Sequence, residues 1–476
     1  MKTIILSLLL FTAMASLSAQ SSDGRLVAYP GGKTYMYRIT FRDKVGTTGS
    51  IAQPEKFLSK RALQRRTKQK LIIDSTDLPV SEVYLRQIRK SGVKIVALSK
   101  WNNTALVRGN NIVKLEALAA LPFVVSNKQV FASPDSIRPQ QSRVKFQDRL
   151  MLLDSIATDY YGIARRQIEG FNGRQLHNHG FTGKGISIAV LDAGFMNVDR
   201  MPTFANVNIL GTRNFVSGTD NDNDNDNDVF RHMDHGTKTL STMAVNQPSV
   251  FVGTAPQAGY WLLRCEDFIT ETQAEEDFWA AGVEFADSVG ADIISSSLGY
   301  HYFDDKRQNY SYIDLDGRTA LISRTASMLA RKGIVLVNSA GNDGMGTWKK
   351  ISVPADAPDI LTVGAIAPDS LNAAFSSIGP TTDGRVKPDV MAFGCPTSVV
   401  SGRGFIIQDT GTSFACPLVA GMVACLWQAL PQKTALEIID IVRSSANRKE
   451  HPDNVFGYGI PDFWKAYQSN RSSTEQ

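Results

Sequence analysis

Cysteine is scarce in this sequence. Four cysteines, Cys265, Cys395, Cys416 and Cys425, occur among 476 residues, and these are too few for a scaffold that depends on disulfide bonds. Cys416 and Cys425 lie within an apolar helical pattern, where a thiol packs as a small hydrophobic group. The sequence leaves open whether any of the four pair.

Long apolar runs are missing after the first 19 residues. A helix needs about 20 consecutive apolar residues to cross a membrane, so the mature protein is predicted to have no membrane span. Residues 1–19 have the pattern of a signal peptide, because Lys2 precedes an apolar stretch and small residues lead up to Ala19. An N-terminal membrane anchor is the alternative. We expect a secreted or periplasmic protein.

Negative charge is scarce in the first third of the chain. Residues 1–150 contain 25 Lys and Arg against 9 Asp and Glu, a net charge of +16, whereas residues 151–476 contain 26 against 37, a net charge of −11. A basic segment can bind nucleic acid, but no aromatic side chains are interleaved with the basic ones for stacking on bases. The division of charge therefore favours attraction between two parts of one chain.

Residues 33–131 have the pattern of one small α/β domain. Its elements are predicted, in order, at 34–40 (strand), 81–90 (helix), 93–98 and 104–107 (strands), 111–120 (helix) and 123–130 (strand). This order is that of a ferredoxin-like fold, with an extra basic helix at about 54–70. Residues 20–32 are expected to be a short leading segment and residues 132–169 a linker that contains a processing site.

The pattern changes at about residue 170. Short, continuously apolar segments alternate with helical patterns, which is typical of a parallel sheet covered by helices on both faces. Strands are predicted at 186–191, 260–263, 292–294, 334–337 and 360–363, and helices at 274–289 and 319–331. We expect a doubly wound, mostly parallel α/β domain over residues 170–468 and a polar tail at 469–476. Active sites in such folds lie at the carboxyl ends of the strands.

Three polar residues lie where that edge is expected. Asp192 ends an apolar strand, His235 precedes Gly-Thr at the start of a helix, and Ser413 follows Gly-Thr at the start of an apolar helix. Alone, Asp192 could be a turn residue and Ser413 a helix cap. Together they supply a nucleophile, a base and a carboxylate that orients the base. Pro417 is expected in about the first turn of its helix, where a missing N–H is tolerated.

The chain order Asp192, His235, Ser413 resembles that of the subtilisin-like serine proteases, the subtilases. The segments that carry the resemblance are 192–194 (Asp-Ala-Gly), 235–237 (His-Gly-Thr) and 411–417 (Gly-Thr-Ser-Phe-Ala-Cys-Pro). The likeness covers about residues 170–465. It implies that Ser413 is the nucleophile, His235 the general base and then acid, and Asp192 the orienting carboxylate. Ala193, Phe414 and Cys416 depart from the family's usual residues, but none of them replaces a reacting group.

Two further segments match the family. Asn342 follows Ala-Gly after a strand, and the resemblance gives it the oxyanion-binding role, in which a side-chain amide stabilises the tetrahedral intermediate. Ser297, Leu298 and Gly299 follow another strand. By resemblance they line the cleft and pair with an extended substrate backbone; an ordinary buried strand end is the alternative.

These features predict a secreted serine endopeptidase that acts on proteins or peptides through an acyl-enzyme. Residues 33–131 resemble an inhibitor-type subtilase propeptide, so the chain's own propeptide is the expected intramolecular partner. No nucleic-acid partner is expected, and the protein is expected to be a monomer. The alternatives are a catalytically impaired binding module on the same fold, or a secreted esterase, which would need a Gly-x-Ser-x-Gly turn and a serine before the histidine.

No cofactor is expected for the chemistry, and no metal ligand is assigned in the site. Aspartates alternate with asparagines between positions 220 and 228. Their oxygens could hold a structural calcium ion, although the run lacks the glycine and the closing glutamate of an EF-hand loop. A solvated loop is the alternative.

Overall fold

The computed structural model of the protein describes residues 26–29, 32–138, 144–145, 159–216 and 228–471. The predicted signal peptide lies outside the described residues. So do most of the predicted calcium-binding run and of the polar tail. The predicted linker at 132–169 is described only in part.

The N-terminal unit is an antiparallel sheet with helices. Its elements are β1 (Val27–Ala28), β2 (Tyr35–Phe41), α1 (Lys60–Lys68), α2 (Glu82–Lys90), β3 (Lys94–Ser99), β4 (Thr104–Gly109), α3 (Ile112–Ala117), β5 (Val124–Ala132) and β6 (Ser136–Ile137). Strand order in the main sheet is β3-β4-β2-β5, with antiparallel neighbours throughout. This is the ferredoxin-like arrangement that the sequence predicts, and α1 is the expected extra basic helix.

Strand β2 shows how the two faces of this sheet are used. Side chains alternate across a strand, and Tyr37, Ile39 and Phe41 point into the unit's own core. Met36 and Arg38 occupy the opposite face, which packs against the rest of the chain. The N-terminal unit therefore covers one face of its sheet itself and leaves the other to a partner.

The C-terminal domain is built on a parallel sheet. Its elements are α4 (Arg165–Glu169), α5 (Gly173–Asn178), β7 (Ser187–Asp192), β8 (Asn208–Asn214), α6 (His235–Ala244), β9 (Asn246–Gln247), β10 (Phe251–Val252), β11 (Gly259–Arg264), α7 (Ala274–Val289), β12 (Ile293–Ser296), α8 (Leu321–Ala326), β13 (Val335–Ser339), β14 (Leu361–Ile366), β15 (Val390–Phe393), β16 (Thr397–Val400), β17 (Ile406–Asp409), α9 (Thr412–Ala429), α10 (Ala435–Ser445) and α11 (Phe463–Asn470). Seven strands form the sheet in the order β15-β14-β13-β12-β7-β11-β8, and every neighbouring pair is parallel.

Helices cover both faces of this sheet, as predicted. Helices α6, α9, α10 and α11 enclose a core on one face, while α7 and α8 enclose a second core on the other. Helix α9 is long and apolar enough to cross a membrane by length and composition, but 94% of it is buried inside the fold. It therefore serves here as the central core helix.

Some elements differ from the sequence predictions. The helix predicted at 319–331 is shorter: Ala320 is still extended, so α8 begins at Leu321, and the chain tightens into a 3₁₀ turn at Ala330–Lys332. The strand pair β1–β6 lies partly in the predicted linker. Strands β8 and β15 were not predicted, since β8 is a largely exposed edge strand and β15 is only four residues long.

Candidate active site

Two elements bring Asp192 and His235 together. Strand β7 ends at Asp192 in the centre of the sheet, and helix α6 begins at His235. The backbones meet where the Gly236 N–H donates to the Gly194 carbonyl at 3.0 Å. A Cβ at Gly236 would lie 2.4 Å from that carbonyl oxygen, so this approach requires glycine after the histidine.

The Asp192 carboxylate is fully buried and fully hydrogen-bonded. One oxygen lies 2.8 Å from His235 Nδ1 and accepts the Ala193 N–H at 2.8 Å. The other accepts the Thr239 hydroxyl at 3.1 Å. Thr239 lies one helical turn after His235 and was missed by the sequence analysis. The signal was the i, i+4 spacing, which places both side chains on one face of α6. The residue after Asp192 is Ala193, which has no hydroxyl group to offer. The Thr239 hydroxyl supplies a hydrogen bond to the Asp192 carboxylate instead.

The imidazole of His235 is strongly basic in this arrangement. Burial lowers its affinity for a proton, but the Asp192 carboxylate, its hydrogen bond and the Glu266 carboxylate outweigh this and raise the pKa of His235 to about 9. Asp192 also fixes the tautomer, because Nδ1 must donate to a carboxylate that only accepts. Nε2 is left as the atom that can take up a proton.

Ser413 lies in the first turn of helix α9, as predicted. Pro417 lies in the second turn rather than the first, so the Ser413 carbonyl lacks the N–H that would normally bond to it from four residues onward. The Ser297 hydroxyl replaces it and donates to the Ser413 carbonyl at 2.8 Å. Ser297 therefore holds the start of α9 in place.

Ser413 and His235 are brought to the same place without bonding in this structure. The His235 ring lies 5.9 Å, centroid to centroid, from the ring of Phe414, and Ser413 retains 9% exposure. Among the hydrogen bonds of the described residues, none joins the Ser413 hydroxyl to His235. Such contacts are often long in resting enzymes and shorten when substrate binds.

Asn342 is tied to the residue before Ser413. Its Oδ1 accepts two hydrogen bonds from Thr412, one from the backbone N–H and one from the hydroxyl, both at 2.9 Å. The amide oxygen is thereby fixed toward α9, and the Nδ2 donors point elsewhere. Gly341, at φ +106°, makes the turn that presents Asn342, where a side chain would meet the hydroxyls of Ser352 and Ser377 at 2.9 Å.

Of the three predicted cleft residues, two are buried and one is exposed. Ser297 and Leu298 are buried, and the Leu298 carbonyl accepts a hydrogen bond from Asn338 at 3.2 Å. Gly299 is exposed. The structure therefore gives Ser297 and Leu298 internal contacts and leaves Gly299 open to a ligand.

All four cysteines are free, and Cys265, Cys416 and Cys425 are buried. Cys416 donates weakly to the carbonyls of Val337 at 3.3 Å and Ser296 at 3.5 Å, and burial raises its pKa to about 12. A thiol this reluctant to ionise is a packing group, as predicted for Cys416 and Cys425.

No group of three His, Cys, Asp or Glu side chains within the described ranges could hold a metal ion. The predicted calcium-binding run falls outside those ranges for all but Asp228. The prediction of structural calcium therefore stays a prediction.

A parallel α/β sheet with an Asp–His pair and a helix-borne serine at its carboxyl edge defines the class of serine hydrolases. Comparison with known proteins narrows the class. The family model described as "Subtilase family" matches residues 183–459, and the one described as "Peptidase S8 propeptide domain, Bacteroidota" matches residues 36–147.

Curated relatives agree with these matches. Subtilisin NAT of Bacillus subtilis subsp. natto is 29% identical over 309 residues, which are 64% of this chain and 71% of the relative. Subtilisin of Bacillus pumilus is 29% identical over 57% of this chain and 87% of the relative. Subtilisin Savinase of Lederbergia lenta is 27% identical over 63% of this chain and 95% of the relative. The chain belongs to the subtilase family of serine proteases and carries a propeptide domain.

The propeptide domain binds the protease domain through buried ion pairs on α7. Arg38 lies on the outer face of β2, and its Nε donates to both Asp277 oxygens at 3.0 and 2.8 Å. Its Nη2 donates to the Gln273 carbonyl at 2.8 Å. Asp277 is 3% exposed. A basic residue of the first third of the chain thus pairs with an acidic residue of the remainder, in line with the uneven distribution of charge in the sequence.

The extra helix α1 forms a second contact at the far end of α7. Arg65 and Arg66 both bond to the Asp287 carboxylate, with Arg66 Nη2 at 3.0 and 3.1 Å from its two oxygens. Arg66 also pairs with Asp77 of the propeptide domain at 3.1 Å. All four side chains are buried, so the pairing of their charges governs the contact.

Glu284 forms the third contact, between the two ends of α7. Its carboxylate accepts from the Ser99 hydroxyl at 2.5 Å and from the backbone N–H groups of Lys100 and Trp101 at 2.7 and 3.0 Å. One protease carboxylate thus accepts the hydrogen bonds of the donor groups in the turn that follows strand β3.

Proposed function

We propose that this protein is an exported serine endopeptidase, synthesised as a precursor whose propeptide restrains it. Ser413 is the nucleophile, His235 the general base and acid, Asp192 the orienting carboxylate, and Asn342 an oxyanion donor. The observation that carries the proposal is the 2.8 Å bond between His235 Nδ1 and Asp192, at the sheet edge where Ser413 lies in the first turn of α9.

The reaction follows from these groups. The Ser413 oxygen bonds to a peptide carbonyl carbon as its proton moves to His235 Nε2. The resulting oxyanion is stabilised by Asn342 Nδ2 and by the Ser413 backbone N–H at the helix start. The C–N bond then breaks, and His235 protonates the leaving amine. Water adds to the acyl carbon while giving its proton to His235. The bond between that carbon and the Ser413 oxygen then breaks, His235 returns the proton to the serine oxygen, and the acid product leaves.

A protonated imidazole cannot accept the serine proton, and with a pKa of about 9 most His235 in this form carries a proton at neutral pH. Described residues of the linker also lie near the site: the Val144 carbonyl accepts from Asn197 Nδ2 at 3.0 Å, five residues beyond Asp192. The linker contact supports restraint by the propeptide and its linker, whereas the pKa of His235 is set by protease residues.

Labelling with a fluorophosphonate probe tests the proposal. We expect labelling of the processed protein and its loss in Ser413→Ala, with the label mapped to Ser413 by mass spectrometry. Ser327→Ala is the matched control, because that hydroxyl bonds within and beside α8. Labelling that survives Ser413→Ala would exclude Ser413 as the nucleophile.

Two companion measurements separate the alternatives. Cleavage of a short-chain ester without cleavage of casein would favour an esterase. A folded protein that neither processes its propeptide nor accepts the probe would be a binding module on a subtilase scaffold. Mass spectrometry of the same samples locates the processing site.

A further inference from the structure

Two loops leave the carboxyl edge of the sheet on either side of Asp192. In the parallel register, Arg264 of β11 lies opposite Asp192, and Ser296 of β12 lies opposite Leu191. The Cys265 N–H donates to the Asp192 carbonyl at 3.0 Å. The segments 265–273 and 297–304 therefore begin directly beside the Asp192–His235 pair.

Glu275 shapes the first of these loops, and two hydrogen bonds between Glu271 and Asp304 join it to the second. The Glu275 carboxylate accepts the Asp267 and Thr272 N–H groups at 2.8 and 2.9 Å and so shapes the first loop. Glu271 and Asp304 join the two loops, since the Asp304 N–H donates to the Glu271 carbonyl at 2.9 Å. The Glu271 N–H donates to the Asp304 carboxylate at 3.1 Å. These bonds hold the acidic residues Glu271 and Asp304 in fixed positions on loops that begin beside the Asp192–His235 pair.

Glu266, Glu271 and Glu275 are three neighbouring carboxyl groups without an ion-pair partner in the described ranges. Within the part of the chain that the structure describes, neither lysine nor arginine forms an ion pair with any of the three. By contrast, Asp277 and Asp287 on α7 are paired with propeptide arginines.

The raised pKa values of these carboxyl groups are consistent with the absence of a paired lysine or arginine among the described residues. Burial raises the pKa of Glu266 to about 7 and, together with neighbouring carboxylates, that of Glu271 to about 8. For Glu266 the opposing influence is led by His235. A cation placed among these groups would be attracted to them and would favour their ionised form.

Tyr300 supplies an independent sign that something binds here. It follows Gly299, its side chain is 1% exposed, and its hydroxyl has no hydrogen-bond partner. After burial, the strongest influences on that hydroxyl are the carboxylates of Glu275, Glu266 and Glu271, which raise the pKa of Tyr300. A buried hydroxyl among carboxylates is costly to leave unpaired, and its oxygen can accept a bond from an incoming N–H group.

We propose that Glu266 and Glu271, with the Tyr300 hydroxyl, form a specificity subsite for the cationic side chain of a peptide substrate. The proposal rests on the proposed function and names the substrate class: peptides with lysine or arginine near the scissile bond. A long side chain ending in an ammonium or guanidinium group can reach carboxylates that are spread along a loop. It can also donate to the tyrosine oxygen.

Paired fluorogenic peptides test the subsite on the self-processed enzyme. One member carries lysine or arginine at a chosen position, and the other carries the uncharged isostere norleucine or citrulline. The pair is placed in turn at each position flanking the scissile bond. We expect kcat/KM for the cationic peptide to exceed that of its isostere by about tenfold or more at one position.

Three variants locate the preference. Glu266→Gln and Glu271→Gln remove the charges, and Tyr300→Phe removes a hydroxyl that bonds to nothing in the fold. Each should reduce the ratio of the two kcat/KM values at that position by several-fold. The ratio cancels any effect of Glu266 on His235. Glu450→Gln, which removes a charge from an exposed surface position, should leave the ratio unchanged.

The outcomes distinguish the subsite from the proposed function. Equal cleavage of cationic and neutral peptides at all positions would overturn the subsite and leave the protease assignment intact. So would a preference that all three variants retain. If neither peptide is cut, the proposed function fails, and the affinities of the same peptides by isothermal titration replace the rates. Equal affinities would then overturn the subsite, and tighter binding of the cationic peptide would support it.

Discussion

The two sheets of this protein are buried in different ways. Every residue of β7 and of β14 in the protease domain is buried, because helices cover both faces of the parallel sheet. In the propeptide domain, strand β2 packs Tyr37 and Ile39 into the domain's own core, whereas Met36 on its other face packs against the protease domain. The protease domain therefore supplies its own cover, whereas the propeptide domain depends on a partner.

That dependence is concentrated on one helix. The outer face of the propeptide sheet packs Met36, Leu106 and Val130 against Ala274 and Phe278 of the protease domain. Around this apolar contact lie the buried ion pairs of α7. The propeptide domain therefore completes the burial of its outer sheet face on the protease domain.

The strongest test breaks the contact from the protease side. Asp287→Ala leaves Arg65 buried without its ion-pair partner and leaves Arg66 with Asp77 alone. Breaking a buried pair in this way costs about 3–5 kcal/mol. In the full-length Ser413→Ala background, hydrogen exchange should show the propeptide strands losing protection while the strands β7 and β14 keep theirs. Glu169→Ala, which removes a surface partner of Arg165, is the control. Equal loss in both sheets would show that the domains are not independent.

The second test changes the protease site and leaves the contact alone. Asn342→Ala removes the amide donor, and kcat should fall by about 10²–10³-fold (about 3–4 kcal/mol), which is the loss known for the corresponding donor in subtilisin. KM and the hydrogen-exchange protection of the propeptide domain should stay near their original values. Asn470→Ala, on the last turn of α11, is the matched control. A change in KM alone would contradict the assignment.

The third test uses pH, because a rise in pH should increase the rate of self-processing and decrease the stability of the folded protein. Because the pKa of His235 is raised from 6.5 to about 9, the reactive neutral form, and with it the rate of self-processing, should increase about tenfold per pH unit up to about pH 9. The stabilisation from protonated His235 is complete below pH 6.5 and is lost as the pH rises through 9. Processing rates and urea unfolding of Ser413→Ala measure the two trends. A rate that is flat between pH 7 and 9 would count against the raised pKa.

The smallest test compares one helix cap in each domain. Ser81 caps α2, and Thr434 caps α10 in a reciprocal box with Glu437. Replacing either residue by alanine should cost about 1 kcal/mol. If the domains unfold separately, Ser81→Ala should lower the melting temperature of its smaller unit by about 4–8 °C and Thr434→Ala that of the larger by about 2–4 °C. Equal shifts measured by calorimetry would indicate one cooperative unit.

Much of the fold was predictable because the signals are local. The apolar strands 186–191 and 360–363 and the helix at 274–289 come from hydrophobic patterns that the structure confirms, the helix with its predicted bounds. Edge strand β8 was missed because its residues are half exposed and carry no alternation. The Pro417 turn was misplaced by one turn, since the helix begins at Thr412 and a side chain 116 residues earlier, Ser297, satisfies the freed carbonyl.

The candidate reacting residues could be found in the sequence, because Asp192, His235 and Ser413 occur in a recognisable order within motifs that need glycine and small residues. The groups that surround them became known only from the folded chain. Thr239 reaches Asp192 through the turn of α6, and Glu266 acts on His235 from a neighbouring loop. Arg38 finds Asp277 from 239 residues away. Motifs record local geometry, whereas burial and electrostatic pairing depend on segments that only folding brings into contact.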